Sequence, residues 1–536
     1  MAQGIEIDEQ IDNEAPVSND AMVVSIEDHH QRLIQVELLD VTDRNNQLVH
    51  TKEWLLHNKD AESLLLTGNL FAVDCTLTGK GKVFVKRAPL PHIREAEAPV
   101  IDLTVTPHHP SGFNYTLHQT GPEDLESWVA LDFEGGSIGM TTALHRWQQS
   151  LRPQTEQHRV PKFVSNSWGD RNRDERIQEA FMLAEIDRAA KLGVDVVQID
   201  DGWQKGRSAN SAEAKEKGGV WSGFWVADPD FWTPDPERFP NGLEPLLKRA
   251  SGHGIEIGLW YAPDSHEEFR NWEKDAAQIV TLHQTYGIHH FKLDSITAET
   301  FTARRNLAAM FKAILGKSDG KVICDLDVTA GKRPGYFGEL TTGPLFVENR
   351  YTDWHSYWPH FTLRNLWQLS QWIDPRRLRM EFLNNARNDH KYEDDPLAPS
   401  LYPPATLFAS VMFANPLGWF ENTGLTDDYV AEVAPLVACW KKHREQIFAG
   451  DIIPIGDAPD GVAWTGFLSS GEENNDSYAV LFNERNPVRS HRFTLPRSFT
   501  EVEILSGSGE ANMDGGGLIT SIPNPFGYLF VRLGGA

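Results

Sequence analysis

The sequence predicts an α/β protein: a (β/α)8 barrel of the TIM type, preceded by an antiparallel β domain and followed by a small β domain. Three observations predict this. Through the middle of the chain, short apolar runs alternate with longer amphipathic stretches, which is the pattern of βαβ units. Eight such runs fall within roughly 280 residues, the span of a closed eight-stranded barrel. On either side the hydrophobic period drops to two, with Gly, Asn, Asp and Pro between the runs, as antiparallel sheets require.

In chain order, residues 1–21 are rich in Asp, Glu and Asn and read as an acidic tail. Residues 22–140 carry alternating runs such as Leu33 to Leu39, Leu70 to Leu77 and Lys82 to Lys86, and read as a sandwich-like β domain. A linking helix around Leu144 to Gln149 opens the barrel, 141–449. Its strands are read at Phe163 to Asp170, Val194 to Trp203, Ile255 to Trp260, Ile288 to Asp294, Val322 to Val328, Leu345 to Asp353, Leu378 to Leu383 and Leu407 to Phe413. Helical periodicity is clearest in Arg176 to Leu192, Phe301 to Leu315 and Phe361 to Trp372. Short strands return in 450–536, including Tyr478 to Phe482 and Tyr528 to Arg532, as a C-terminal β domain without evident chemistry.

Composition narrows the partners. A formal net charge of −26 leaves no basic excess to neutralise phosphates, which argues against nucleic acid and anionic membranes. No run reaches the ~18 apolar residues of a membrane span. The N-terminus has neither the basic nor the apolar region of a signal peptide, so the expected location is cytoplasmic. Three scattered cysteines suggest neither disulfides nor a metal site, and no cofactor is implied. The 17 tryptophans, several near carboxylates, fit a small carbohydrate as ligand, because indoles stack on sugar C–H faces while carboxylates accept hydrogen bonds from hydroxyls. Whether copies associate into a homo-oligomer is left open.

In a β/α barrel the chemistry sits where the strands end. Those ends are rich in carboxylates: Asp200-Asp201-Gly202-Trp203 on strand two, Lys292-Leu293-Asp294 on strand four, Asp325 and Asp327 on strand five, Glu348 to Asp353 on strand six and Glu381 on strand seven. Strand side chains alternate, so Lys292 and Asp294 project together, and the cation keeps the carboxylate ionised as a nucleophile requires. Two carboxyl groups, one ionised and one protonated, are the equipment of glycoside hydrolysis. Asp353, among Tyr351, Trp354 and Trp358, is the candidate for the protonated partner. Arg350 nearby complicates that role, and Glu381 is the rival. Adjacent His289 and His290 face opposite ways on a strand, which disfavours a metal-dependent hydrolase.

The order Asn166-Ser167-Trp168-Gly169-Asp170, Asp200-Asp201-Gly202-Trp203, Phe291-Lys292-Leu293-Asp294 and an arginine-to-aspartate turn ending at Asp353 resembles the α-galactosidases (melibiases) of glycoside hydrolase families 27 and 36. The likeness extends over the barrel, and the flanking β domains fit the shorter family 36 layout. The resemblance implies Asp294 as nucleophile and Asp353 as acid/base of a retaining exo-α-glycosidase. It further implies Asp200 and Asp201 gripping the sugar 4- and 6-hydroxyls, Lys292 donating to a ring hydroxyl, Trp203 and Trp260 as apolar walls, and Trp168 and Arg350 lining the site. Asp325 or Asp327 would meet the 2-hydroxyl.

Two departures qualify the substrate. The strand-five turn reads Cys324-Asp325-Leu326-Asp327 and continues to Gly331-Lys332-Arg333, where large family 36 enzymes carry a Cys-Ser-Gly-Gly-Gly-Arg turn. Arg350 precedes Asp353 by three residues where family 27 enzymes have four, so the loop is reshaped or the arginine's role has moved. An α-N-acetylgalactosaminidase, another α-glycosidase of the clan, or a raffinose-synthase-like transglycosylase are the alternatives to hydrolysis of terminal α-galactosides.

Overall fold

A computed structural model of the chain describes residues 21–39, 47–56, 62–94, 100–108, 111–329, 331–471 and 476–535. The acidic tail expected over 1–21 lies outside these but for its last residue. Eight parallel strands close into a barrel: β1 (Val164–Asn166), β2 (Val196–Ile199), β3 (Glu256–Tyr261), β4 (His290–Leu293), β5 (Ile323–Asp327), β6 (Leu345–Phe346), β7 (Leu378–Phe382) and β8 (Asn415–Trp419). β8 pairs back onto β1, Val164 opposite Leu417, and completes the ring.

The strands are buried on both faces, which is why they read as continuous apolar runs. Outward residues such as Val197, Leu259, Phe291 and Leu326 belong to the main core shared with the surrounding helices. Inward residues form a second, smaller cluster of Val164, Val196, Phe346, Tyr351, Tyr357, Leu383, Leu417 and Trp419. Helices Glu179–Leu192, Phe301–Lys317 and Pro359–Leu369 occupy the positions their periodicity predicts, and the linking helix is longer than expected, Gly136–Ser150.

One strand is corrected. The run around Leu407 to Phe413 is not the eighth strand: Pro404–Val411 is a helix, with proline in its first turn, and the strand follows at Asn415–Trp419. Seven of that helix's eight residues are buried, so it shows no polar face, and an apolar run of this length has no period that separates strand from helix. β6 is also shorter than read, ending at Phe346, and the chain from Val347 to Asp353 leaves the sheet.

The flanking domains share one device. In the N-terminal five-stranded sheet, Phe71, Val73 and Phe84 face a four-stranded sheet across a common core with Leu103, Val105 and Tyr115. Their neighbours Leu70, Ala72, Val83 and Val85 face the barrel core. The C-terminal five-stranded sheet repeats this: Ala479 and Leu481 pack towards a three-stranded sheet, and Tyr478, Val480 and Phe482 towards the barrel. Among the described residues, no helix is long and apolar enough to cross a membrane.

Candidate active site

The mouth of the barrel is organised around two cations, one buried and one partly buried. Lys292 Nζ, on β4, donates to Asp200 Oδ2 at 3.0 Å, and the same oxygen accepts from Asn166 Nδ2 at 2.7 Å. Behind the ammonium lie the rings of Trp419 and Phe346, 4.9 and 5.8 Å from it to their centres. The second cation, Arg333, comes from the long turn after β5. Its Nη1 is 3.0 Å from Asp294 Oδ1 and 3.3 Å from Asp327 Oδ1, and it donates to the Asp327 carbonyl at 2.9 Å.

Asp294 is 8% exposed, and its remaining contacts are the Ser295 amide at 2.7 Å and the Trp260 indole N–H at 3.4 Å. Burial pushes its carboxyl towards the neutral form, but Arg333 first and Lys292 second outweigh it and hold the pKa below the ordinary carboxylate value. Asp327 is buried in the same place and shares Arg333, yet its pKa is raised, by burial and then by the negative charge of Asp294, against the pull of Arg333. Two neighbouring carboxyl groups are thus driven apart, one ionised and one inclined to keep its proton. Lys292 has its own pKa raised: burial opposes the charge, and Asp200, Asp294 and Asp327 together prevail.

Both carboxylate oxygens of Asp201 are engaged. It accepts from Gln204 Nε2 at 2.7 Å and from the Ser208 hydroxyl, and burial pushes it up to about 7. Trp260 reaches the site through its N–H. Trp203 sits one layer behind, fully buried, with its own N–H bonded to the Trp260 carbonyl at 2.8 Å and its ring near Trp232. Trp168 packs at the edge of the inward cluster.

Two expected site residues point elsewhere. Asp325 accepts from Arg379 Nε at 3.1 Å and Nη2 at 3.0 Å, a two-pronged pair inside the barrel, below the mouth and with Arg379 also holding the Lys162 carbonyl. Of the two strand-five aspartates, Asp327 is therefore the one beside Asp294. Arg350 is fully buried with its Nε on Glu348 Oε1 at 2.9 Å and its Nη1 on the Ser356 carbonyl at 3.2 Å, while Glu348 is anchored by Thr362 and Asn365. That arginine braces the loop after β6.

The cation beside Asp353 is Arg171, on the turn after β1, with Nε 3.5 Å from Asp353 Oδ2. Asp353 keeps a third of its side chain in solvent, 33%, at the rim. Glu381 is its opposite: fully buried, Oε1 accepting the Arg350 amide at 2.6 Å and Oε2 without a partner. Burial and then the nearby Glu348 raise the Glu381 pKa well above the ordinary value. Sequence reasoning missed Arg333 and Arg171. The first lay within a quoted turn, nine positions past Cys324, and the second directly after the Asn166-to-Asp170 motif; neither spacing announces a contact across the barrel. Among the described residues, no group of three or more His, Cys, Asp or Glu is arranged to hold a metal ion.

Fold and site together define a β/α-barrel protein with a carboxylate-lined, aromatic mouth, and the chain resembles the α-galactosidases of glycoside hydrolase family 36. Alpha-galactosidase 2 of Pediococcus pentosaceus is 28% identical over 187 residues, 35% of this chain and 21% of that protein. An α-galactosidase of Escherichia coli is 28% identical over 129 residues, 24% of this chain and 16% of that protein. The matched stretches therefore span about a fifth or less of these relatives' length. Among solved structures, the family 36 α-galactosidase AgaA of Geobacillus stearothermophilus in complex with raffinose superimposes with a TM-score of 0.66 at 14% identity, covering 96% of this chain and 76% of that chain. The galactosidase domain of the α-galactosidase-sucrose kinase AgaSK gives 0.65 at 11% identity, with 96% and 75% covered. At such identities the likeness establishes the fold. No family model matches the chain.

Proposed function

We propose that this chain is a retaining exo-acting α-glycosidase that hydrolyses terminal α-galactosides. The observation that supports it most is Asp294: a buried carboxylate at the mouth of the barrel, held ionised between Arg333 and Lys292. A carboxylate kept anionic out of water is a competent nucleophile towards an anomeric carbon. In this reading Asp294 attacks that carbon while Asp353, at the open rim, protonates the departing oxygen. Asp353 then takes a proton from water, whose oxygen displaces Asp294 and restores the original anomeric configuration. Glu381 does not suit the acid role, because its carboxyl is sealed in the barrel where no departing group can reach it.

Lys292 and Asp200 supply the sugar's polar contacts. Asp200 is positioned by Asn166 and Lys292 to accept from ring hydroxyls, and a carboxylate aimed at O4 separates the axial from the equatorial alcohol. Asp327, on the Asp294 side, suits a free 2-hydroxyl and leaves a 2-acetamido group poorly matched to a carboxyl in its path. The galactosidases named among the relatives, and the raffinose and stachyose bound in two of the AgaA structures, favour the same sugar.

A panel of nitrophenyl α- and β-glycosides, with α-galactoside and α-N-acetylgalactosaminide included, tests the reading. Cleavage of the α-galactoside with the α-anomer released first, seen by proton NMR, is expected. Cleavage of neither α-substrate, or first release of the β-anomer, would overturn it.

A further inference from the structure

Between β5 and β6 no helix forms among the described residues. The connection runs back along the barrel as an irregular turn after Arg333, and the N-terminal domain covers it without filling the space a helix would take. A cavity of about 1140 Å³ is left between them, as large as the roomiest small-molecule sites, which reach roughly 1,000 Å³. Arg304, Leu307, Ala308 and Phe311, at i, i+3, i+4 and i+7 of helix Phe301–Lys317, form one wall; the turn adds Phe337 and the N-terminal domain Trp128. Leu307, Phe311, Phe337 and Trp128 are buried and apolar, and Ala308 is exposed.

Arg304 gives this apolar wall a polar end. It is 7% exposed, its guanidinium carbon lies 4.6 Å from the centre of the Phe301 ring, and its Nη1 donates to Glu126 Oε1 at 2.8 Å. Its Nε and Nη2 are buried and find no acceptor among the described residues. Those two N–H groups form the parallel fork with which arginine grips a carboxylate. The neighbours have none to offer. Glu126 also lies 3.5 Å from Lys86 Nζ, which donates to Asp102 Oδ1 at 2.8 Å, and Arg94 holds both oxygens of Asp102 at 2.6 and 2.9 Å. Three buried cations, Lys86, Arg94 and Arg304, thus share the two buried carboxylates Asp102 and Glu126. Asp124, also on the cavity lining, is exposed and taken by Arg305 at 2.9 Å. Buried charge in excess is costly, and an anion at the open fork offsets it.

We propose that the cavity between the N-terminal domain and the barrel binds a small amphiphilic monoanion: a carboxylate bearing an alkyl or aryl body. The carboxylate enters the Arg304 fork, and the body lies along Leu307, Phe311, Phe337 and Trp128, where burial of apolar surface stabilises it. A polyanion is disfavoured, because one fork is open and Glu123 and Asp124 share the lining. A sugar leaves the apolar walls poorly used. Since the turn that carries Arg333 forms part of the lining from Pro334 onward, the occupant packs against the element that places a cation beside Asp294.

Isothermal titration calorimetry of the full chain with octanoate and with 1-octanol tests this independently of any glycosidase activity. Octanoate binds saturably, one per chain, and about tenfold more tightly than the alcohol, the size of one charge-assisted pair. Arg304→Gln lowers the octanoate affinity about tenfold, to that of 1-octanol. Ala308→Trp leaves every charged group in place, puts an indole into the cavity from an exposed position, and abolishes binding of both probes. Should Arg304→Gln fail to fold, the octanoate-to-octanol ratio of the wild type and the Ala308→Trp variant still decide. Absence of saturable octanoate binding to the wild type, equal affinity for the alcohol, or octanoate binding unchanged by Ala308→Trp overturns the site.

Discussion

Arg333 stands 3.0 Å from the Oδ1 of Asp294, and it is the strongest influence keeping that buried carboxylate charged. The pair joins neighbouring units of the barrel, the end of β4 and the long turn after β5, 39 residues apart in the chain (333 − 294). That turn is itself tied to the N-terminal domain: the Tyr336 hydroxyl donates to the Leu39 carbonyl at 2.7 Å, and Arg377 grips the Tyr336 carbonyl at 2.8 Å. The flanking β domain thus helps to fix the position of a cation in the site.

Arg333→Gln moves the acid limb of activity to higher pH. In the proposed mechanism Asp294 must be ionised to attack; its pKa is depressed in the folded protein, and removing the largest favourable charge lets burial raise it. Activity of the variant then fails at a pH where the wild type still works. The sign for stability agrees: a depressed carboxyl contributes above its unfolded pKa of ~3.9 and loses that contribution as pH falls through the folded value, so the variant loses part of it. The kcat/KM profile between pH 4 and 8 reads this out, and an acid limb that stays put would remove Arg333 from the role.

Lys292→Met damages folding and chemistry together. Lys292 is 6% exposed and its ammonium faces Asp200 directly, so its loss leaves buried negative charge uncompensated. Breaking a buried pair from one side costs about 3–5 kcal/mol. Adding Asp200→Asn recovers part of the stability and none of the activity, since the proposed sugar contact and the cation near Asp294 are both absent. Urea denaturation and kcat on the single and double variants measure the two effects separately.

The two strand-five aspartates separate by the same comparison. Asp325→Ala strands Arg379 inside the barrel and lowers the denaturation midpoint, with kcat/KM changed only as far as the fold loosens. Asp327→Asn leaves the fold in place and changes catalysis, because Asp327 shares Arg333 with Asp294. Equal behaviour of the two variants in both measurements would contradict the assignment.

Much of this site was legible in the sequence because it depends on local alternation. Lys292 and Asp294 share a face by strand periodicity, and Asp200 follows β2 where barrel chemistry belongs. The arginines were not legible. Arg350 is near Asp353 in the chain but turns to Glu348, and Arg171, 182 positions earlier by number (353 − 171), takes the place beside Asp353 because β1 and β6 end at the same rim. Asp325 and Asp327 are equivalent by alternation, and only the depth at which Arg379 crosses the barrel distinguishes them. The eighth strand was misplaced for a related reason: burial on every side erases the periodicity by which a helix is recognised.

Glu381→Gln separates a buried neutral group from an acid catalyst. In the folded protein burial and then Glu348 raise the Glu381 pKa well above the ordinary value, with Oε1 accepting the Arg350 amide at 2.6 Å. Glutamine is neutral and close in shape, and its carbonyl can accept the same bond, so activity at neutral pH is retained within about threefold. Were Glu381 the proton donor to the leaving group, the amide would abolish turnover of poor leaving groups. The pH dependence of stability adds an independent reading. A carboxyl whose folded pKa is raised stabilises fully below its unfolded pKa of ~4.3 and loses that contribution as pH rises towards the folded value. Above the unfolded pKa the wild type releases a proton on unfolding, which favours the unfolded chain as pH rises, and the variant does not, so the stability of Glu381→Gln relative to wild type climbs with pH, towards a limit of about 1.4 kcal/mol per unit. Thermal denaturation of both proteins from pH 4 to 7 gives the slope, and parallel curves would mean that Glu381 is ionised in the fold.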